Sequence, residues 1–276
     1  MNAEEFFNQA VTKLGQGDVL GGIENFAQAI WVNPLFAPIY HEFGNRAYRL
    51  GDYRSAIENY TQAIQCHSEL PYTYYWRAFA YDKIGDFQKA IDDWNQFISL
   101  YRNSNTFNDV TFGYDLKLVY KYRGHAHSHI GDNQRAVEDF TQAIRLEATA
   151  HLYFNRGVHN YLLGNYREAI EDLTQALNLD PNLADAYYNR SNARYNIGDE
   201  EGALEDYNLA QRTDEANGNV ASDDEYGCYG RGIARSRMGD IQGAIADFQT
   251  AARICCKRRN MAFYQQVQEA IAQHQQ

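Results

Sequence analysis

Seven Gly-Asp or Gly-Asn pairs punctuate the chain, and their spacing constrains the fold more than any other feature of the sequence. They stand at Gly17-Asp18, Gly51-Asp52, Gly85-Asp86, Gly131-Asp132, Gly164-Asn165, Gly198-Asp199 and Gly239-Asp240. Successive glycines are 34, 34, 46, 33, 34 and 41 residues apart. The clearest copy is 150–183, AHLYFNRGVHNYLLGNYREAIEDLTQALNLDPNL. Tyr153, Arg156, Gly157 and Tyr161 fall at helical spacing before the break at Gly164-Asn165. Ala169, Leu173, Ala176 and Leu177 share one stripe after it. Two amphipathic helices joined by a tight turn cannot bury their stripes alone, so copies of the unit must stack.

The register extends beyond the turns. Seven residues before each anchor glycine the side chain is small: Ala10, Gly44, Ala78, Gly124, Gly157, Ser191 and Gly232. Five after it stand Gly22, Ala56, Ala90, Ala136, Ala169, Ala203 and Ala244, and nine after it comes a large apolar residue, from Phe26 to Phe248. Small residues let helices approach closely, and the large one fills the space beside them. Phe97 breaks the pattern, occupying a place twelve after the glycine that is otherwise Ala, just before the longest spacing. It predicts an irregularity between the third and fourth units.

With this register the chain resembles the tetratricopeptide repeat family over residues 3 to about 256. The phrasing N-R-G, G-D, A-I-x-D-F-x-Q-A is similar to bacterial, cyanobacterial-like members. The proline expected after the second helix is present at Pro34 and Pro181. The resemblance implies an all-α fold, a right-handed α-solenoid of antiparallel helix pairs whose first helices line a concave groove. It divides a single superhelical domain, 1–276, into repeats at about 3–36, 37–70, 71–104, 117–149, 150–183, 184–217 and 225–256. Insertions fall at about 101–113 and 212–224, the second read as an acidic loop. A capping helix at about 258–275 carries Phe263, Val267, Ala270 and Ile271 on one face and mostly glutamine on the other, as a solenoid end requires for solubility.

A net charge of −11 argues against nucleic acid and anionic membranes, where a basic face is expected. Cys66, Cys228, Cys255 and Cys256 form no C-x-x-C pair and read as reduced thiols. The acidic start MNAEEFFNQAVTKLGQG enters the first repeat without the pattern of a signal peptide. No apolar run approaches the roughly 20 residues that span a bilayer. The expected compartment is the cytoplasm.

Two charges recur together. Repeats 3 to 7 carry Arg77, Arg123, Arg156, Arg190 and Arg231 in the first helix, and Asp93, Asp139, Asp172, Asp206 and Asp247 in the second. Repeats 1 and 2 have Gln9 with Asn25 and Phe43 with Asn59. Joint presence and joint absence mark a contact, a structural ladder rather than a set of catalytic carboxylates. His125 and His129 share a helical face and, with His151, are the one group with metal-ligand spacing. No cysteine or carboxylate completes that set, so they read as groove-lining side chains, with no cofactor expected. No P-loop, G-x-S-x-G or H-E-x-x-H occurs, and the chain reads as non-enzymatic.

Family positions that face the groove map onto Tyr72, Tyr75, Trp76, Phe79, Lys121, His125, His151, Phe154, Asn155, Tyr188, Asn189, Asn192 and Tyr229. Aromatic rings interleaved with amides suit an extended peptide or a helix. The family's carboxylate clamp is matched at Lys121 and Asn155, but His125 replaces its asparagine. Asp185 and Asn189 stand where its basic pair belongs, and Asp185 repels a terminal carboxylate. The expectation is a protein–protein interaction module, an adaptor or assembly factor with its partner in the groove. Self-association through Phe6, Phe7, Val11 and Leu14 of an uncapped first repeat is one alternative. A metal-dependent enzyme using the groove histidines is the other.

Overall fold

A computed structural model describes residues 1–33, 37–103, 115–216 and 224–274. These residues form fifteen α-helices, with no strand among them. Each Gly-Asp pair works as a two-residue switch between helices. The seven glycines hold φ between 79° and 86°, the left-handed region that ends a helix and that side chains with a Cβ avoid. At the six Gly-Asp turns the aspartate side chain then caps the following helix, which Asn165 does not do. Asp18 accepts from the Gly21 N–H at 2.9 Å, Asp132 from Arg135 at 3.0 Å and Asp240 from Gly243 at 2.9 Å.

The helices fall into two compact units, Met1–Gly113 and Tyr114–Gln276. The first holds α1 (Ala3–Gly15), α2 (Val19–Val32), α3 (Ala37–Arg49), α4 (Tyr53–Cys66), α5 (Pro71–Ile84) and α6 (Phe87–Asn103). Helices pair as α1/α2, α3/α4 and α5/α6, and α4 packs on α5. Between the first two pairs the contact runs through rings: Phe26 of α2 meets Phe43 of α3 edge-on at 5.5 Å. The core here is Ala10, Phe26, Ala29 and Ile39, then Ala56, Tyr60 and Ala80, then Trp94 and Phe97. Phe97 is fully buried against Tyr75 and Tyr101 of its own repeat.

The second unit holds α7 (Leu116–His129), α8 (Asn133–Leu146), α9 (Ala150–Leu162), α10 (Tyr166–Leu179), α11 (Ala184–Asn196), α12 (Glu200–Ala216), α13 (Glu225–Arg237), α14 (Ile241–Arg258) and α15 (Met261–His274). The second helix of one repeat packs on the first of the next at α8/α9 and α10/α11. Repeat 7 departs from this. Outside its own repeat, the first helix α13 packs along α11, and α14 then carries α15 back to α7. Two glycines make the α11–α13 approach possible. A Cβ on Gly227 would lie 2.3 Å from Asp185 Oδ2, and one on Gly230 would lie 2.7 Å from the Asn189 amide.

The helices outrun the expected boundaries in three places. Residues 101–103 still belong to α6, and 212–216 complete α12, so both insertions begin later than their composition indicates. The C-terminal helix starts at Met261 rather than near 258, because Arg259 at φ 59° closes α14 and the Asn260 side chain accepts from the Phe263 N–H. Pro34, the remainder of both insertions and the irregularity expected between repeats 3 and 4 lie outside the described residues.

Candidate functional site

The Arg and Asp residues meet within each repeat, sixteen residues apart. Arg77 donates from Nε and Nη2 to the two Asp93 oxygens at 2.7 Å each. Arg156 does the same to Asp172 at 2.9 and 2.5 Å, and Arg190 to Asp206 at 2.9 and 2.6 Å. Arg123 grips Asp139 with Nε and Nη2. Arg231 reaches Asp247 from the same two nitrogens at 2.9 and 2.7 Å. The remaining edge ties repeats together: Nη1 of Arg77, Arg156 and Arg190 donates to Thr61, Thr141 and Thr174 of the preceding second helix at 3.0, 3.1 and 3.0 Å. A tyrosine three residues earlier lies under the guanidinium in four repeats, as Tyr187 does under Arg190 at 5.6 Å.

These carboxylates sit in the interior, Asp206 at 0% exposure. Burial pushes the Asp93 and Asp139 carboxyls up, and the guanidinium beside each pulls them back. Each carboxylate is spent on its arginine, so the ladder fixes helix pairs and offers no free acid or base.

The inner face of α7 and α9 is covered by α13 and α15 of the same unit. The Tyr226 hydroxyl of α13 hydrogen-bonds the Ser128 hydroxyl of α7 and accepts from Asn260 Nδ2 at 3.0 Å. Its ring lies edge-on to His159 of α9 at 5.2 Å and meets Phe263 of α15 at 4.3 Å. His159 in turn stacks on Phe140 and pairs with the Asn133 side chain at 2.9 Å. On α11, Asn192 donates to the Gly230 carbonyl at 2.7 Å, while Arg237 donates to the Asn192 carbonyl and lies over the Tyr195 ring. What stays open is a cleft of about 200 Å³ lined by Ser128, Asn133, Leu162, Tyr226, Phe263 and Gln266, among others.

Many residues that the sequence places in the groove are therefore interior. Phe154, Tyr188, Asn189 and Asn192 are buried in the second unit, and Tyr229 packs on Phe248 and Phe263. Lys121, His125 and Asn155 are partly exposed, and His151 is exposed. Burial lowers His125 to about 3, His129 to about 4 and His159 to about 3, so these rings are neutral. Among the described residues, no three His, Cys, Asp or Glu side chains are placed to hold a metal. Asp185, the residue set against a carboxylate clamp, faces Gly227 of α13.

In the first unit the corresponding face keeps its rings at the surface. His41 of α3 meets Tyr72 of α5 edge-on at 4.5 Å, and Tyr48 meets Trp76 at 5.6 Å. All four are partly exposed, while Tyr75 and Phe79 behind them are buried. Burial lowers His41 to about 4, so it too is neutral, and Thr73 hydrogen-bonds its Nδ1. His41 and Tyr48 were not among the residues picked from the sequence. Carrying Tyr75 back by 34 residues finds His41, whereas Tyr48 corresponds to Asp82 and has no ring counterpart in repeat 3.

The helix–turn–helix units, their glycine switches and their closely packed small residues define a helical-repeat fold, of the class that supports protein–protein interaction modules. Models described as "TPR repeat" match residues 44–85 and 159–198, and models described as "Tetratricopeptide repeat" match 72–104, 123–149 and 184–217. The chain belongs to the tetratricopeptide repeat family. No curated protein matches it.

Solved structures share the fold at low identity. The crystal structure of MamA is 22% identical with a TM-score of 0.58, covering 68% of this chain and 96% of that one. YrrB, described as "a TPR protein with an unusual peptide-binding site", is 21% identical with a TM-score of 0.59, covering 68% and 91%. A tetratricopeptide repeat protein from Parabacteroides merdae is 18% identical with a TM-score of 0.57, covering 96% and 98%. Among the described residues no helix is long and apolar enough to cross a membrane.

Proposed function

We propose that this chain is a non-enzymatic, cytoplasmic adaptor that holds a peptide or helical segment of another protein on the first-helix face of its N-terminal unit. The observation that carries the reading is the two ring pairs, His41 with Tyr72 and Tyr48 with Trp76, all partly exposed. Rings already packed side by side lose little conformational freedom on binding, and rings with amides or hydroxyls at their rims anchor peptides well. The YrrB peptide site supports the class of ligand. In the second unit, Lys121, His151 and Asn155 remain available as further contacts, whereas the buried ring of Phe154 serves packing. The chain's charge of −11 favours encounter with basic partners.

The test is selection of a displayed random-peptide library on the intact protein, followed by titration against Trp76→Ala and Tyr48→Ala variants of unchanged helicity. Enriched peptides whose affinity drops about tenfold or more in either variant support the site. Peptides that bind both variants as well as wild type place the interface elsewhere.

A further inference from the structure

The second helix of the first repeat carries an apolar stripe on the side turned away from the stack. Leu20 is 76% exposed, Ile23 53% and Trp31 81%, and Ala27 lies exposed between them. The opposite face of α2 already has its partners, with Phe26 and Ala29 in the core against Ile39 and Phe43. The repeat register asks for an apolar residue at Ile23, whose counterparts are Ile57, Ile91, Val137, Ile170, Leu204 and Ile245, but not at the rest of the stripe. In the six later repeats the Trp31 position holds Gln65, Ser99, Arg145, Asn178, Arg212 and Arg253, all exposed. The Leu20 position is Arg, Gln or Glu in each of them, again exposed. Only repeat 1 replaces both solvated side chains with large apolar ones, and an exposed tryptophan on a regular helix is an interface residue in waiting.

We propose that the outer face of α2 is the surface through which two copies of this chain pair, antiparallel about a twofold axis. The stripe complements itself, as an isologous contact requires. An antiparallel register that sets Leu20 against the other copy's Trp31 also sets Glu24 against the other copy's Ala27. Large residues then meet at both ends and a small one lies near the centre, where the helices must approach. The two Glu24 carboxylates, the only charges within α2, then lie about three residues apart along the pair, so their repulsion weakens pairing at low salt. The four apolar side chains expose about 500 Å² per copy, so pairing buries about 1,000 Å², the lower bound for a specific contact. The partner is a second copy rather than an anionic surface, since α2 carries no Lys or Arg.

The experiment is sedimentation velocity of the intact protein from about 1 to 100 μM, at low and high salt. The comparison is the Leu20→Arg, Trp31→Arg double variant. Arginine occupies both positions in other repeats, at Arg54 and Arg145, so the helix tolerates it. The expected result is a reversible dimer whose dissociation constant falls as salt screens the net charge of −11. The variant's constant should rise at least tenfold with unchanged circular dichroism. A wild type that stays monomeric throughout, or a dimer that the variant retains, overturns the proposal. A variant that loses helicity is replaced by Trp31→Gln, the residue repeat 2 carries at Gln65, read by the same criterion. Peptide binding at Trp76 is measured separately, so either result stands without the other.

Discussion

Arg190 and Asp206 face each other across one repeat, joined by parallel hydrogen bonds of 2.9 Å from Nε and 2.6 Å from Nη2. Asp206 is fully buried and also takes Arg194 Nη1 at 3.0 Å. Removing the carboxylate alone strands two guanidinium groups in a site with little water. Asp206→Ala should therefore cost about 3–5 kcal/mol, while Arg190→Met with Asp206→Leu should cost clearly less, because only Arg194 then loses a partner and it keeps Asp199 at 3.7 Å. Urea unfolding of the three proteins measures this. Equal losses for single and double variants would show that the charges do not depend on one another.

Acid should loosen the second unit before its carboxylates titrate. His125, His129 and His159 have folded values of about 3, 4 and 3, against an ordinary value of 6.5. Below pH 6.5 the unfolded chain takes up protons that the folded chain refuses, so the stability present above pH 6.5 is lost as pH falls toward 4. Each fully refused proton is worth about 1.4 kcal/mol per pH unit. Urea midpoints at pH 7, 6 and 5 should fall progressively, and His159→Phe should flatten the slope. A pH-independent midpoint over this range would mean that the rings are solvated.

Gly230 is the point where α13 comes closest to the Asn189 side chain of α11. That amide cannot step aside cheaply, because it is buried and donates to the Asp185 carbonyl at 2.8 Å. Gly230→Ala should cost about 1–3 kcal/mol through overpacking, despite alanine's better helix propensity. Gly15→Ala, with nothing within 4 Å of the added carbon, is the control and should be neutral or mildly stabilising. Thermal unfolding of the pair distinguishes close packing from propensity.

The repeat, its turns and the Arg–Asp partners are legible in the sequence because each is local and recurs. A glycine needed at positive φ and an aspartate needed as a cap leave the same two letters at six of the seven turns, with Asn165 in the aspartate's place at the other. Arg77 and Asp93 appear together, as do their four counterparts, because neither charge can be buried alone. The cover over α7 and α9 has no such signature. It depends on Tyr226 meeting Ser128 across 98 residues, a contact made once, so no periodicity reports it. Asn189 and Asn192 sit at groove positions by register, yet the tilt that lays α13 along α11 converts them to core. Its marks are Gly227 and Gly230, which stand where the preceding repeat has Ala186 and Asn189 and so belong to no repeated pattern.

Tyr226 is the link on which that cover depends. Its hydroxyl bridges Ser128 of α7 and Asn260 at the start of α15, and all three residues are buried. Tyr226→Phe keeps the ring against His159 and Phe263 but leaves two polar groups without their partner, which should cost about 1–3 kcal/mol. In a cycle with Ser128→Ala, the double variant should lose less than the sum of the singles, because the alanine removes one of the stranded groups. Hydrogen exchange locates the effect: amides of α7 and α9 should exchange faster in Tyr226→Phe, while those of α3 and α5 keep their wild-type rates. Faster exchange in both units would show that the loss is global. Unchanged exchange in α7 would show that this hydrogen bond does not hold the inner face closed.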